Sequence, residues 1–572
     1  MSKKIRTCQL KTPFENEGMD WSEYPRPQMK RNSYLSLCGK WELSVLKNGN
    51  KTPLGAITVP FPPESRISGI ERMLGKDEQY VYLKKFTLPE GFNKGHVILH
   101  FGAVDRLAEI KINGTSVGSH NGGYLPFSFD ISEYITDSEN LVEVTVTDNL
   151  DTDFPYGKQR YKRGGMWYTP ISGIWQSVWL ESVYDNYITS LKLTPSLDSI
   201  TIETKGGAET KYAIIRTPIE DIFYKWTGDT ATINIPNPKL WTPENPYLYR
   251  FTLSDGTDEI ESYFALRTIT VQQKNGRSYI CLNDKPYFFH GLLDQGYFSD
   301  GIYTPSTPSG YKFDVITMKK LGFNMLRKHI KIEPELFYYY CDKYGMIVFQ
   351  DMVNSGKYNF LIDTALPTAG LRRGIKHRAT KTRRHYFESS ARETVALLYN
   401  HPCVCYYTIF NEGWGQYDAN RIYREMKLAD PTRVWDATSG WFKEKQSDVD
   451  SEHIYFKKVK LKSRPERPLV LSEFGGYSCK IGNHSFNLDE NYGYKNFSSP
   501  EELTEGLKQL YENEIIPAIN DGLCAAVLTQ VSDVEDETNG LVTYDRQVIK
   551  TDESTMKALS AKLKDAFAKK NV

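Results

Sequence analysis

The chain has 572 residues, of which 71 are Lys or Arg, 71 are Asp or Glu, and 13% are aromatic. This length exceeds what one hydrophobic core supports, so we expect two to four domains. The charge balance excludes the uniformly basic surface that attracts nucleic acids or anionic membranes, so neither is an expected partner.

The N-terminus and the cysteines together predict a cytoplasmic location. The first residues, Met-Ser-Lys-Lys-Ile-Arg-Thr, are basic, but the apolar stretch of a signal peptide does not follow them. No other segment approaches the roughly 20 apolar residues of a membrane span. The eight Cys have no metal-ligand spacing, and Cys403 and Cys405, two apart on a predicted strand, are interpreted as buried thiols. We expect no metal and no other cofactor.

Residues 1–182 are predicted to form a jelly-roll β-sandwich. Short alternating runs at 80–86, 96–101, 108–112 and 141–147 are separated by Gly, Asn, Asp and Pro. Asn113-Gly114 lies between two such runs and is a strong hairpin signal. Short strands without helical periodicity are typical of a β-sandwich.

Residues 183–272 are predicted to form a second, immunoglobulin-like β-sandwich. Strand patterns occur at 200–202, 212–216, 231–235, 247–253 and 263–271. The segment lacks the Cys…Trp…Cys signature of true immunoglobulin domains, so this prediction depends on its length and strand count alone.

Residues 273–572 alternate between strand and helix patterns. Eight strands are predicted at 287–290, 324–327, 346–350, 404–410, 433–436, 453–456, 469–471 and 525–528. Helices are predicted at 311–321, 334–344, 387–399, 422–428, 503–520 and 553–569. Eight strands with intervening helices over about 300 residues predict a (β/α)8 TIM barrel.

Two of the predicted barrel strands end on a glutamate. Ile-Phe-Asn-Glu-Gly at 409–413 and Leu-Ser-Glu-Phe-Gly at 471–475 place Glu412 and Glu473 at matching positions. Barrel enzymes carry their chemistry at the C-terminal ends of strands. Two carboxylates are the minimum for breaking a glycosidic bond, one as acid and one as base or nucleophile. A solvated surface role is the alternative for each glutamate.

These segments make the chain resemble glycoside hydrolase family 2, which includes β-galactosidases, β-glucuronidases and β-mannosidases. The family has the same order of three domains. Further segments that carry the resemblance are Gly-Gly-Tyr-Leu-Pro-Phe-Ser-Phe-Asp at 122–130, Ser-Gly-Ile-Trp-Gln-Ser-Val-Trp-Leu at 172–180 and Asn-His-Pro at 400–402. The resemblance implies an exo-acting, retaining β-glycosidase of the β-galactosidase type that acts on a carbohydrate. It leaves homo-oligomerisation open.

The resemblance also implies a role for each residue near the two glutamates. Glu412 matches the general acid/base, and Glu473 matches the nucleophile. Asn411 matches a residue that hydrogen-bonds the sugar 2-hydroxyl. Arg327 matches an arginine that pairs with the nucleophile, so it is expected to lower the pKa of Glu473. A structural ion pair inside the barrel is the alternative for Arg327.

Four further substrate-binding candidates have weaker signals. His453 and Tyr455 resemble a His-x-Tyr pair in which the tyrosine steadies the nucleophile. Trp441, after the fifth strand, is a candidate floor for the sugar site. Asp294, after the first strand, is a candidate ligand of a sugar hydroxyl, and capping of its own loop is the alternative. For His453 and Trp441 the alternative is a structural role.

Two departures from the family leave the sugar open. The β-glucuronidase branch holds the sugar carboxylate with Asn-x-Lys after the last strand, whereas Glu-Thr-Asn-Gly-Leu at 537–541 has no Lys. The β-galactosidase branch often has Ser-His-Tyr-Pro after the second-strand arginine, whereas Lys-His-Ile-Lys stands at 328–331. A β-hexuronide, β-mannoside or arabinoside is therefore an alternative substrate. A catalytically silent carbohydrate-binding protein is the alternative from another class.

A basic run at 371–385 has no role in these assignments. It contains seven Lys or Arg and two His without an acid. A solvated or subunit-contacting loop is one interpretation. Binding of an anionic glycan is the other.

Overall fold

The computed structural model describes residues 6–368, 379–461 and 464–571. They form two β-sandwiches followed by a parallel barrel, in the predicted order. In the described residues, no helix is long and apolar enough to cross a membrane. All eight cysteines are unpaired, and Cys403 and Cys405 are buried as predicted. The cytoplasmic location stays a prediction.

The first domain packs two antiparallel sheets around an apolar core. The larger sheet has the strand order Asn50–Val59, Gly39–Lys47, Gln79–Phe86, Asn140–Thr147, Leu107–Ile112 and Thr115–Asn121. The smaller has the order Tyr34–Ser36, Val178–Val183, His96–Phe101 and Phe127–Asp130, and a short pair joins Val104–Asp105 to Gly173–Ile174. Asn113 and Gly114 have φ of 50° and 84°, which is the two-residue hairpin predicted for them. The four predicted strands are confirmed.

The second domain is a smaller sandwich with its own core. One sheet contains Ile188–Pro195, Ser199–Gly206 and Thr230–Asn234. The other contains Ile222–Thr227, Thr210–Ile215, Tyr249–Ser254 and Glu259–Phe264. The predicted strand 263–271 is wrong, because the chain leaves this sheet after Phe264. Arg267 turns into the barrel, where Nε donates to the Pro402 carbonyl at 3.0 Å and Nη2 to the Val404 carbonyl at 2.9 Å.

A three-stranded sheet links the second domain to the barrel. It contains Ile269–Lys274, Arg277–Leu282 and Lys285–Pro286. The predicted domain boundary at 272 falls within Ile269–Lys274, which pairs with Arg277–Leu282 and not with the sandwich. The sheet lies at the N-terminal end of the barrel, where Cys524 Sγ contacts the Ser278 carbonyl.

The third domain is a parallel barrel, and each predicted strand overlaps an observed one. Barrel strands 1 to 8 are Phe289–Asp294, Met325–Lys328, Ile347–Asp351, Val404–Thr408, Val434–Asp436, Asp450–Ile454, Leu469–Gly475 and Leu523–Thr529. Hydrogen-bonded ladders join the strands in the order 5-4-3-2-1-8-7-6. Strands 1 to 4 are buried along their whole length, as expected for strands covered on both faces.

Helices surround most of the barrel. They are Ser309–Lys320, Glu335–Tyr344, Lys381–Leu398, Ala419–Ala429, Pro500–Leu510 and Glu553–Asn571. Shorter turns are Pro13–Glu17, Arg66–Ser68, Leu361–Ala365, Leu366–Thr368, Gly482–His484, Tyr511–Ile515, Ile516–Ala518 and Ile519–Asp521, and a small parallel pair joins Tyr477–Cys479 to Lys495–Phe497. In the described part of the chain, no helix separates strand 5 from 6 or strand 6 from 7.

One predicted helix, 503–520, is interrupted. The α-helix ends at Leu510, and a wider π turn, Tyr511–Ile515, follows it. Pro517 explains the change, because it has no N–H to donate to the carbonyl of Asn513 and its ring would clash with that carbonyl in an α-helix. The other five predicted helices are confirmed, although their ends differ by a few residues.

Residues 148–172, the crossing segment, leave the first domain and lie across the mouth of the barrel. Tyr156 N donates to the Asn354 carbonyl at 3.0 Å, next to strand 3. Thr169 N donates to Glu535 Oε1 at 2.9 Å, in the loop after strand 8. The first domain therefore borders the end of the barrel that carries the two glutamates.

Candidate active site

The predicted site residues meet at the C-terminal ends of several barrel strands. Arg327 lies in strand 2, His453 in strand 6 and Glu473 in strand 7. Asn411 and Glu412 follow strand 4. Because parallel strands end at one edge of the barrel, residues distant in sequence become neighbours there.

The Arg327 guanidinium is the centre of the site and is only 1% exposed. Nε donates to Asp351 Oδ1 at 3.0 Å, and Nη1 donates to Glu473 Oε1 at 3.0 Å. Nη2 donates to Asn411 Oδ1 at 2.8 Å and to Ser439 Oγ at 3.0 Å. Since a guanidinium only donates, these contacts fix its orientation and, through it, the position of the Glu473 carboxylate.

Both oxygens of Glu473 are held. Oε1 accepts from Arg327 and Oε2 accepts from the Tyr455 hydroxyl. Burial by itself would raise the pKa of this carboxyl. Electrostatic interactions with His453, Arg327 and His329 oppose the effect of burial, in decreasing order, and the net pKa of Glu473 lies below the ordinary glutamate value. Glu473 is therefore held as a carboxylate.

Glu412 faces Glu473 and is the more accessible of the two, with 13% of its side chain exposed. Its φ is 53°, a left-handed value that is uncommon for a residue with a side chain and is typical of functional sites. One ligand atom each from Glu412, His453 and Glu473 lie within 4.8 Å of one another. A substrate bond placed between the two carboxyl groups would touch both.

His453 connects the two glutamates. Its Nε2 lies 3.3 Å from Arg327 Nη1, which cannot accept a hydrogen bond. The proton therefore resides on Nδ1, which lies 2.9 Å from Glu412 Oε1 and donates to it. The Trp441 ring meets the His453 ring edge-on, with centroids 5.8 Å apart. His453 thus orients the side chain of Glu412.

A cleft of about 420 Å³ opens beside Glu412, His453 and Trp441. It is lined by Met166, Tyr358, Phe360, Thr364, Ala365, Glu412, Trp441, His453, Ile454, Tyr455, Phe456, Lys457, Tyr492 and Tyr494. Met166 belongs to the crossing segment. Phe360 and Phe456 are 65% and 74% exposed, so the rim of the cleft is apolar and aromatic.

Asp294 was predicted to bind a sugar hydroxyl, but both of its carboxylate oxygens contact neighbouring protein groups. Oδ2 lies 2.7 Å from Lys328 Nζ, and Oδ1 accepts from Gly296 N at 2.9 Å. Asp294 is buried. These contacts favour the loop-capping alternative over the predicted contact with a sugar hydroxyl.

Sequence reasoning missed the pair formed by His329 and Asp351. Asp351 ends strand 3 and lies between Arg327 and His329, with Oδ2 2.8 Å from His329 Nδ1. Burial lowers the pKa of His329 below the usual value, although Asp351 raises it. An acidic residue at the C-terminal end of a barrel strand indicated Glu473, and the same criterion would also have indicated Asp351. For the loop residues Tyr358, Tyr492 and Tyr494, no local signal existed.

The basic run at 371–385 is only partly described. Leu371, Arg372, Arg373, Lys376, His377 and Arg378 lie outside the described residues. Farther along, Arg383 Nη2 donates to the Gly415 carbonyl at 3.3 Å, and Arg384 pairs with Asp418. These two arginines bind the barrel itself, so they give no support to a substrate-binding role.

The three clustered side chains also have a spacing that a cation could use. Arg327 already places a positive charge 3.0 Å from Glu473 Oε1. That charge opposes a second cation at the same oxygen. The absence of a metal and of other cofactors stays a prediction.

Three family models match the chain. The model described as "Glycosyl hydrolases family 2, sugar binding domain" matches residues 26–183. "Glycosyl hydrolases family 2" matches 186–267, and "Glycosyl hydrolases family 2, TIM barrel domain" matches 274–558. The three matches follow the three domains of the structure.

Curated relatives include a β-galactosidase of Thermoanaerobacter pseudethanolicus, 26% identical over 61% of this chain and 47% of that protein. A putative β-glucuronidase of Formosa agariphila is 25% identical over 58% of this chain and 39% of that protein. The chain thus spans less than half the length of these curated relatives.

Solved structures share the fold over nearly the whole chain. A β-D-glucuronidase of Dictyoglomus thermophilum has a TM-score of 0.72 at 20% identity and covers 96% of this chain and 98% of its own. A β-galacturonidase from Eisenbergiella tayi bound to galacturonate has a TM-score of 0.68 at 17% identity and covers 95% and 99%. At these identities the likeness concerns the fold alone.

Proposed function

Because the chain belongs to glycoside hydrolase family 2, we propose that it is an exo-acting, retaining β-glycosidase. The observation that carries this proposal is the placement of Glu412 and Glu473 at the C-terminal end of the barrel, with oxygens within 4.8 Å. Retaining enzymes have carboxyl groups about 5–5.5 Å apart, whereas inverting enzymes need about 6.5–9.5 Å to admit a water. The short separation supports the retaining route.

In the first step, Glu473 attacks the anomeric carbon from the face opposite the leaving group. The Glu412 carboxyl donates its proton to the glycosidic oxygen as that bond breaks, which leaves the sugar covalently joined to Glu473. In the second step, the Glu412 carboxylate takes a proton from water, and this water attacks the anomeric carbon from the original face. The sugar leaves with its β configuration, and both glutamates return to their starting states.

The neighbouring residues prepare the two carboxyl groups for these steps. Arg327 and Tyr455 hold Glu473 ionised and oriented, and His453 orients Glu412. Asn411 Oδ1 is occupied by Arg327 and by Ser439, which leaves the Nδ2 hydrogens to bind the sugar 2-hydroxyl. Trp441 is an apolar wall of the cleft on which a sugar face packs.

For the sugar, a β-galactoside is the first candidate, because several curated relatives are β-galactosidases. A β-hexuronide is the second candidate, because two positive side chains of the crossing segment, Lys158 and Arg160, lie beside the Trp167 ring without an acidic partner among the described residues. A catalytically silent carbohydrate-binding protein remains the alternative from another class. Such a protein has no chemical need for an ionised glutamate opposite a second one.

The deciding experiment is a panel of 4-nitrophenyl β-glycosides whose sugars differ at one centre or substituent each. We expect hydrolysis of at least one member, complete loss in Glu473→Gln, and no loss in the control Glu425→Gln, whose side chain is half-exposed on a barrel helix. Sugar binding without turnover of any member would contradict the proposal and favour the silent protein.

A further inference from the structure

The crossing segment brings two positive side chains, Lys158 and Arg160, to the mouth of the barrel. Lys158 is only 9% exposed. In the described part of the chain, its ammonium has neither a hydrogen-bond acceptor within 3.5 Å nor a carboxylate oxygen within 4.0 Å. The Arg160 guanidinium likewise has no acidic partner among the described residues, and it stacks 3.6 Å above the Trp167 ring.

The backbone around Lys158 is fixed against the end of strand 2. A Cβ on the preceding residue, Gly157, would lie 3.2 Å from the Ile330 carbonyl and 2.8 Å from the Tyr124 hydroxyl. Tyr168 N donates to the Lys158 carbonyl at 3.0 Å. The ammonium lies 5.7 Å from the centre of the Trp167 ring. Lys158 is therefore held in place by its surroundings.

The Lys158 ammonium interacts electrostatically with two buried side chains near the catalytic pair, His329 and Glu537. Burial lowers the pKa of His329, and the nearby Lys158 ammonium lowers it further. Burial raises the pKa of Glu537, in the loop after strand 8, and Lys158 opposes that rise. His329 and Glu537 each also interact electrostatically with Glu473. Its neighbours in the segment contact the Ile330 carbonyl after strand 2 and the Glu537 carboxylate after strand 8, so Lys158 lies over the barrel mouth between these two strands.

Glu537 does not form an ion pair with this lysine, because its carboxylate oxygens lie more than 4.0 Å from the ammonium. Glu537 Oε2 already accepts from Gln530 Nε2 at 2.8 Å and from the Tyr168 hydroxyl. The stem of Lys158 is buried, but its unpaired ammonium still reaches solvent, so an anionic ligand can approach it and supply the missing negative charge. Arg160 adds a planar fork that suits a carboxylate, and it lies 5.6 Å from Tyr358, which lines the cleft.

We propose that Lys158, with Arg160 beside it, binds the carboxylate of a β-hexuronide in the cleft. The inference deepens the proposed glycosidase function and depends on it for the identity of the ligand. It places the anion-binding group on the first domain, whereas the loop after strand 8 has no lysine at 537–541. Lys158 would act as a point charge and Arg160 as a bidentate donor.

The test compares Lys158→Met, Lys158→Arg and the control Lys162→Met, an exposed lysine of the same segment. The substrates are 4-nitrophenyl β-D-galactoside, β-D-galacturonide, β-D-glucuronide and 6-sulfo-β-D-galactoside. We expect Lys158→Met to lower kcat/KM for the uronides relative to the galactoside by about ten- to hundredfold, the usual size of a hydrogen bond to a charged group. Lys158→Arg should retain most of the ratio, and Lys162→Met should leave it unchanged.

A second measurement does not require turnover. Calorimetry should show that free D-galacturonate binds more tightly than D-galactose, and that Lys158→Met removes the difference. Thermal unfolding of each variant reports whether it is folded. An unchanged ratio together with unchanged galacturonate binding in folded Lys158→Met would overturn the inference, and so would an effect confined to the sulfated sugar.

The two proposals fail in different ways. If no glycoside of the panel is hydrolysed but galacturonate binds through Lys158, the glycosidase proposal fails and the binding site stands. If the galactoside is hydrolysed and neither measurement responds to Lys158, the binding site fails and the glycosidase proposal stands.

Discussion

At the scale of single residues, the site gives two chemically identical glutamate side chains different surroundings. Glu473 is buried between a guanidinium and a phenol, which hold it as a carboxylate. Glu412 is more accessible and contacts only a ring nitrogen of His453 among these groups. Two glutamates in unlike surroundings are what a nucleophile and a general acid require.

The first prediction concerns the nucleophile. Glu473→Gly should lower the rate by several orders of magnitude, because the group that attacks the anomeric carbon is gone. Added azide should enter the vacated space, attack from the same face and give a glycosyl azide of inverted configuration. Product configuration is read by NMR. A retained azide would mean that the two glutamates have been assigned in the wrong order.

The second prediction concerns the general acid. Glu412→Ala should slow hydrolysis of natural disaccharides far more than the glycosylation step of dinitrophenyl glycosides, because protonation matters most for a poor leaving group. Pre-steady-state release of dinitrophenol isolates that step. Equal losses on both kinds of substrate would contradict an acid role for Glu412.

The third prediction concerns pH. Glu473 must be ionised to attack, and its pKa is below the ordinary glutamate value, so kcat/KM should hold its plateau well into the acid range. Tyr455→Phe removes one of the influences that lower this pKa, so the acid limb should move to higher pH. The plateau should fall about tenfold or more with the lost hydrogen bond.

The control for this change is Tyr494→Phe. The Tyr494 ring stacks on Tyr455 with centroids 4.1 Å apart, but Glu473 Oε2 accepts from Tyr455. The acid limb of this variant should stay where the wild-type limb is. A limb that moves equally in both variants would show that ring packing, not the hydrogen bond, sets the pKa.

At the scale of elements, the crossing segment joins the first domain to the barrel mouth. Trp167 packs on Trp414, with centroids 5.2 Å apart, and Tyr168 donates to Glu537 after strand 8. The segment thus contacts the loops after strands 3, 4 and 8. Its conformation controls one wall of the cleft.

The fourth prediction tests that control with a pair of glycines. Gly157 has φ of +66° and no room for a Cβ, whereas Gly114 has φ of +84° and open space around it. Both Ala variants should lose about 1–2 kcal/mol of stability from the left-handed backbone. Only Gly157→Ala should also lower kcat/KM, because its methyl group displaces the segment. Equal kcat/KM values in the two variants would show that the position of the crossing segment does not affect catalysis.

At the scale of the whole molecule, buried ion networks connect the N-terminal residues to the first two domains. Glu181, in the first sandwich, accepts from Arg26 at 3.0 Å and from Arg31 at 3.2 Å. Arg31 also donates to Asp258 of the second sandwich at 2.8 Å. Burial would raise the pKa of Glu181, but the charge of Arg26 most strongly opposes it, and the pKa falls to about 2.

The fifth prediction follows from that low pKa. A depressed folded-state pKa stabilises the protein above the unfolded-state pKa, 4.5, and this stabilisation is lost as pH falls through about 2. At about 1.4 kcal/mol for each pH unit between the two values, the carboxylate contributes about 3 kcal/mol at neutral pH.

Glu181→Gln should therefore destabilise the protein at pH 7, and the difference from wild type should shrink towards pH 3. Calorimetric unfolding across this range measures it. The control Glu143→Gln breaks an exposed pair with Lys111 and should cost less than about 1 kcal/mol. A Glu181 effect that does not change with pH would contradict the ionic explanation.

The domain order, the eight barrel strands and the position of the two glutamates at strand ends could be predicted without the structure. These features are local, because the period of apolar residues reports which face of an element is buried, and a polar residue at a strand end reports the open edge of a barrel. The same local logic could have indicated Asp351. It failed at 263–271 and 503–520, where Arg267 and Pro517 interrupt otherwise regular patterns.

The groups that surround the two carboxyl groups could not be predicted in this way and are known from the folded structure alone. The partners of Arg327 come from several other strands and loops, and Lys158 comes from a different domain. A periodic pattern describes burial within one element but carries no information about which remote charge lies opposite. The charges around the sugar site are set by such distant pairings, because electrostatic interactions depend on distance in space and not along the chain.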